Sequence, residues 1–285
     1  MRKLLLAGLF IWPAALMAQP LHIDLFGGFS NYQGDLQEQR FTTAQSRGAF
    51  GAGIRYNITP HIALRSQLSY ARIAAHDKYN QQPDLVNRNL SFQTKITELN
   101  LLADYSLFSL EERYFTPYVF AGVAVYHYNP FAYDSSGSKV FLKPLSTEGQ
   151  GLPQYPDRKN YALTQIAIPF GGGIRWRVND RVVLGYEIGL RKTFNDYLDD
   201  VSTTYVDQFT LASEKGLKAI EMAFRGGELK NCAVYPAAGS TRGSVKYKDW
   251  YYFSGITVSI ALPSKDKGFG GFGGNRGKTA CPKVL

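Results

Sequence analysis

The sequence predicts an all-β protein: an eight-stranded antiparallel up-and-down transmembrane β-barrel with a side-chain-filled lumen, long extracellular loops and short periplasmic turns. Three observations predict it. The chain opens with an export leader, eight segments alternate apolar and polar residues at period two, and the connections between them alternate short and long.

The leader comes first. Met1-Arg2-Lys3 places two positive charges ahead of an apolar run over residues 4–17, and the small residue Ala18 precedes Gln19-Pro20. A basic start, an apolar middle and a small residue at a cleavage position read as a secretory signal over residues 1–18. The run is shorter than the ~20 residues a membrane helix needs. Pro13 also interrupts it, which argues against a retained anchor. No later apolar run is long enough for a helical membrane protein. The mean hydropathy of −0.22 fits a barrel, whose strands hide apolar positions between polar ones. Tyr 19, Phe 18 and Gly 28 are high for 285 residues. Tyrosine suits the membrane–water boundary, and glycine suits bends and crowded points in a closed sheet. The formal charge of +9 falls with loss of Arg2 and Lys3 but stays positive. An exported basic chain points to anionic lipid or an acidic partner, and nucleic acid does not fit.

The alternating segments cover approximately residues 21–30, 48–57, 61–74, 91–107, 115–128, 161–178, 181–195 and 250–262. Strands two and three meet at Asn57-Ile58-Thr59-Pro60, four and five across residues 108–114, and six and seven at Asn179-Asp180, where both residues tolerate positive φ. Long links fill residues 31–47, 75–90, 129–160 and 196–249. This segregation places short turns and both termini in the periplasm and the long loops outside a Gram-negative outer membrane. The barrel then spans residues 19–262.

The faces follow from the pleat. Ile166, Ile168, Phe170, Ile174, Trp176 and Val178 share one face of their segment, and Arg175 and Arg177 lie on the other. In the next segment Val182, Leu184, Tyr186, Ile188 and Leu190 oppose Glu187 and Arg191. A charged face cannot be left in lipid, so the apolar faces point outward. The same reading sends Asp24, Arg55, Arg65, Gln67, Glu98, Asn100, Asp104, Arg175, Glu187 and Arg191 inward. Eight strands enclose a lumen that side chains can fill, so these residues form an ion-pair plug that fixes register; a gated or proton-conducting lumen is the functional alternative.

No constellation carries chemistry. His22, His61, His76 and His127 are scattered, with no metal-ligand spacing to Cys or to each other. His76-Asp77 at the head of a long loop is the one hint of a hydrolytic pair, against a plain solvated dipeptide. Gly171-Gly172-Gly173 lies inside a strand and is a bend, not a phosphate cradle. The expectation is a non-enzyme with no cofactor, no metal and no evident small-molecule substrate. Cys232 falls in the longest external loop and Cys281 in the tail, so this topology separates them by the membrane; a misplaced loop or tail would let them bridge. Residues 263–285 read as a flexible basic periplasmic tail that cannot bury a core. Phe269, Phe272, Arg276, Lys278, Cys281 and Lys283 are its candidate partner-binding residues, against a disordered stub.

A resemblance joins these readings. Residues 191–207, RKTFNDYLDDVSTTYVD, residues 144–153, PLSTEGQGLP, and the ending Cys281-Pro282-Lys283 resemble a Bacteroidota outer-membrane barrel family that includes PorG of the type IX secretion system. The resemblance covers nearly the whole mature chain. It implies a non-enzymatic component that links the outer membrane to a periplasmic ring of PorK and PorN, with the tail on the ring's side. Asp196, Asp199, Asp200 and Asp207 raise calcium as an alternative to bracing a long loop; calcium needs six or more oxygen donors. A stand-alone structural or adhesion barrel, an outer-membrane enzyme and a lipocalin-like soluble carrier are the competing roles.

Overall fold

A computed structural model describes residues 21–37, 42, 44–230 and 233–263. The leader, both cysteines and the tail residues Phe269, Phe272, Arg276, Lys278, Cys281 and Lys283 lie outside the described residues.

Ten strands form one sheet: β1 (Leu21–Gln33), β2 (Arg47–Asn57), β3 (Ile62–His76), β4 (Ser91–Ser106), β5 (Phe115–His127), β6 (Phe131–Tyr133), β7 (Lys139–Phe141), β8 (Thr164–Arg177), β9 (Val182–Thr193) and β10 (Trp250–Ala261). Eight of them close a ring in the order β1-β2-β3-β4-β5-β8-β9-β10, and β10 pairs back onto β1. Every pairing is antiparallel, with β1 and β10 in register from His22↔Ala261 to Gln33↔Trp250. A closed ring leaves no unpaired backbone edge along the barrel. The small β6–β7 hairpin hangs from β4 at Gln93↔Phe131.

The turns have local causes. Ile58 and Thr59 donate their backbone N–H groups to Ile62 O, and the Thr59 hydroxyl accepts from Ile62 N at 2.9 Å. The Asn179 side chain accepts from Arg181 N and Val182 N, both at 2.9 Å, which closes the β8–β9 hairpin as an Asx turn.

The pleat puts apolar side chains outside. Leu25, Phe50, Leu68, Leu99, Val123, Ile174, Ile188 and Ile256 are all exposed on the barrel wall. Exposed aromatics flank this band: Phe29 and Tyr70 toward the long loops, and Tyr105, Tyr114, Phe115 and Trp176 toward the short turns. Among the described residues no helix is long and apolar enough to cross a membrane, which says nothing of crossing by strands.

Two features differ from the sequence reading. The first strand runs to Gln33 and not to residue 30, because Tyr32 turns inward, wholly buried, under the loops. The sixth alternating segment begins as strand at Thr164 and not at residue 161, because Tyr161 and Leu163 pack instead into the core where the loops meet the barrel strands. The long links are also built. They carry α1 (Pro83–Arg88), α2 (Gln208–Lys215) and α3 (Leu217–Ala223) besides the hairpin. Leu152, Val206, Leu211, Ala219 and Ala223 form a second small core among them. The loops therefore make a packed cap over one end of the barrel.

Candidate functional site

The inward faces of the strands supply a column of four arginines and four carboxylates, each at most 4 % exposed. At the short-turn end Arg55 Nη2 meets Asp24 Oδ2 at 2.6 Å. Asp104 Oδ2 is shared by three cations: Arg175, Arg65 at 3.6 Å and Arg55 at 3.7 Å. Above it Arg65 Nη1 reaches Glu187 Oε2 at 2.8 Å, and the Tyr118 hydroxyl donates to the same oxygen at 2.6 Å. Nearest the cap, Arg191 Nε lies 3.2 Å from Glu98, which also accepts from Tyr251 OH at 2.7 Å and Asn100 Nδ2 at 2.8 Å. Three of the guanidiniums also lie over rings: Arg175 over Tyr118 at 3.6 Å, Arg191 over Phe253 at 4.0 Å and Arg65 over Phe120 at 5.1 Å. Four positive and four negative groups leave the column neutral, and its rings and guanidiniums fill the lumen. Buried charges of this kind persist because each has a partner.

The cap is held by a second network. Arg242, 3 % exposed, pairs with Glu148 at 2.9 Å and donates to Asp200 O at 2.7 Å and Ala223 O at 3.1 Å. Glu148 also accepts from Ser202 N, Thr203 N and Thr203 Oγ1, so one carboxylate of the third loop orders the start of the fourth. Arg88 grips Asp77 through Nε and Nη2, both at 2.7 Å, and donates to the backbone of Asp35 and Arg242. Asp77 is thus a brace for α1 and the second loop. Its neighbour His76 packs edge-on against Tyr79 and makes no bond to it.

Where cap meets barrel, the Tyr32 hydroxyl lies 2.5 Å from Asp199 Oδ2 and 2.9 Å from Asp249 Oδ1. The other oxygens are taken: Asp199 Oδ1 accepts from Val201 N at 2.9 Å and Asp249 Oδ2 from Leu198 N at 2.8 Å. A hydroxyl has one hydrogen, so Tyr32 can donate to only one of these two carboxyl oxygens at a time. Burial first pushes both Asp199 and Asp249 well above the usual carboxylate range; the nearby charges of Asp249 and Asp35 add to it at Asp199, and those of Asp196 and Asp35 at Asp249. Burial also raises Asp35 to about 7 and Asp200 to about 6.

The four aspartates of the fourth loop do not act together. Asp196 accepts from Ser202 Oγ, Asp199 serves Tyr32, Asp200 accepts from Thr147 Oγ1 and Tyr161 OH, and Asp207 caps α2 through Thr210 N. Each braces a different neighbour. Among the described residues no three His, Cys, Asp or Glu side chains are arranged to hold a metal ion.

The sequence profile of a domain of unknown function, DUF6089, matches residues 2–215. The chain belongs to the DUF6089 family. The match takes in β1 to β9 and ends with α2. No curated protein matches the chain. Among solved structures it is similar to Neisserial surface protein A at 10 % identity, covering 85 % of this chain and 97 % of that one, TM-score 0.41. Ail, the attachment invasion locus protein of Yersinia pestis solved with the heparin analogue sucrose octasulfate, matches at 8 % identity over 86 % and 99 %, TM-score 0.40. The outer membrane protein OprG of Pseudomonas aeruginosa matches at 10 % identity over 86 % and 98 %, TM-score 0.38. The barrel of this DUF6089 protein is established by its own strand pairing.

Sequence reasoning on this DUF6089 chain missed the residues that organise the cap. Tyr32, Asp35, Arg88, Glu148, Arg242 and Asp249 sit in or beside irregular segments, where no periodicity marks an inward face. One local signal was present: Asp249 immediately precedes β10, at the foot of the longest loop.

Proposed function

We propose that the protein is a non-enzymatic outer-membrane anchor and that its barrel is not a conduit. The carrying observation is the closed ring with an exposed apolar wall outside and a neutral, mutually paired column of arginines and carboxylates inside. Such a wall needs lipid, and strands of 11 to 16 residues are long enough to span it. Such a filling opposes passage of solutes.

The partner is a periplasmic ring of the PorK and PorN kind in a type IX secretion system, held by the tail through Phe269, Phe272, Arg276, Lys278, Cys281 and Lys283. Support for this comes from the sequence resemblance and from the basic, aromatic-studded composition of residues 263–285. The test is deletion of residues 263–285 in the cell. The barrel is expected to reach the outer membrane while the ring proteins no longer co-purify and secretion stops. Normal secretion with full co-purification removes the anchoring role.

One observation favours a second reading. The loops are a packed cap with its own small core, and a rigid outer surface suits adhesion. In that case replacing the fourth loop with a short turn abolishes function and tail deletion does not.

A further inference from the structure

A cavity of about 600 Å³ opens at the short-turn end of the barrel, beneath the charged column. Its charged lining is uneven: Arg55, Arg175, Arg177 and Arg181 against Glu111 and Asp180. The carboxylates that neutralise the two deep arginines, Asp24 and Asp104, are not among the lining residues. Arg55 and Arg175 are each 4 % exposed. Each has one Nη group on a lumen carboxylate; the Nε of Arg175 has no hydrogen-bond partner, and that of Arg55 has only the 3.7 Å ion-pair contact to Asp104 Oδ2. His22 also lines the cavity with an unpartnered Nδ1. Ile62, Leu110 and Val183 supply an apolar wall toward the rim.

Guanidinium groups only donate, and their strongest partners are the oxygens of carboxylate and phosphate. We propose that this vestibule binds a small oxyanion, a carboxylate or phosphate group seated between Arg55 and Arg175. The rim cations Arg177 and Arg181 draw it in, and a short apolar body rests on Ile62 and Val183. The site goes beyond the anchoring role: no sequence motif points to it, and it does not depend on which macromolecule holds the tail.

The test is calorimetric titration of the full mature chain in detergent micelles with inorganic phosphate and, separately, succinate. Saturable binding of one ion per chain is expected; preference for phosphate marks a free or ester phosphate as the source, and preference for succinate marks a carboxylate. Arg175→Gln is expected to weaken binding at least about tenfold, the loss of one charge-assisted pair. Because Arg175 also holds Asp104, a second variant leaves the column intact. Arg181→Glu at the exposed rim is expected to weaken binding severalfold and to flatten its salt dependence. No saturable heat with either anion on folded wild-type chain overturns the proposal, as does binding unchanged in both variants. Neither result bears on tail deletion, so the two proposals fail separately.

Discussion

At the scale of single residues, the buried aspartates of the cap have a consequence for pH. An unfolded aspartate titrates near ~3.9, and the folded cap holds Asp200 at about 6 and Asp35 at about 7. The folded cap therefore keeps protons that the unfolded chain releases. Their contribution favours the cap fully below ~pH 3.9 and is lost as pH rises toward about 7, the value for Asp35. Loop proteolysis is expected to be severalfold slower at pH 5 than at pH 8, and Asp35→Asn, which removes the group that titrates at about 7, is expected to flatten that difference. An equal slope in the variant would place the titration elsewhere. In the lumen, Arg65→Ala strips one cation from both Glu187 and Asp104. Breaking a buried pair costs on the order of 3–5 kcal/mol, read as a lower urea midpoint for the refolded barrel. Replacing Arg65 and Glu187 together by Met and Leu is expected to cost far less.

At the scale of elements, the β1–β10 seam closes the barrel and depends on close approach. A Cβ at Gly28 would lie 2.2 Å from Ser254 O and 2.5 Å from the Cα of Gly255, its register partner. A Cβ at Gly27 would meet nothing within 4 Å. Gly28→Val is expected to lower the temperature at which the barrel loses its compact gel mobility, and Gly27→Ala to leave it unchanged. The cap tests differently. Arg242→Ala leaves Glu148 buried without its cation, so loops three and four are expected to become protease-sensitive while the eight barrel strands stay protected. Simultaneous loss of both would mean that cap and barrel unfold as one unit. The elements were unequally legible. Barrel strands such as β8 and β9 announce themselves because lipid outside and charge inside force a strict alternation. Helices α2 and α3 did not, because each is one or two turns long and only the small loop core selects its apolar face.

At the scale of the whole molecule, the filled column predicts an electrically quiet barrel. The chain reconstituted in a planar bilayer is expected to show no sustained ohmic conductance, and a stable open channel would refute the anchor reading. A non-reducing gel of outer membranes addresses the cysteines: a heavier band lost with Cys281→Ser and not with Cys232→Ser identifies the tail's partner. Mobility that depends equally on both would mean that they bridge and that the topology is wrong. Alternation and loop lengths alone were enough for the closed eight-stranded class and its outward apolar faces, because a period-two pattern has only two faces and lipid tolerates one of them. Packing in three dimensions set which arginine meets which carboxylate, how the loops lock into a cap, and that the Tyr32 hydroxyl lies between Asp199 and Asp249. Those outcomes depend on strand stagger and loop packing, which bring together residues up to 217 positions apart and leave no periodic trace in the chain.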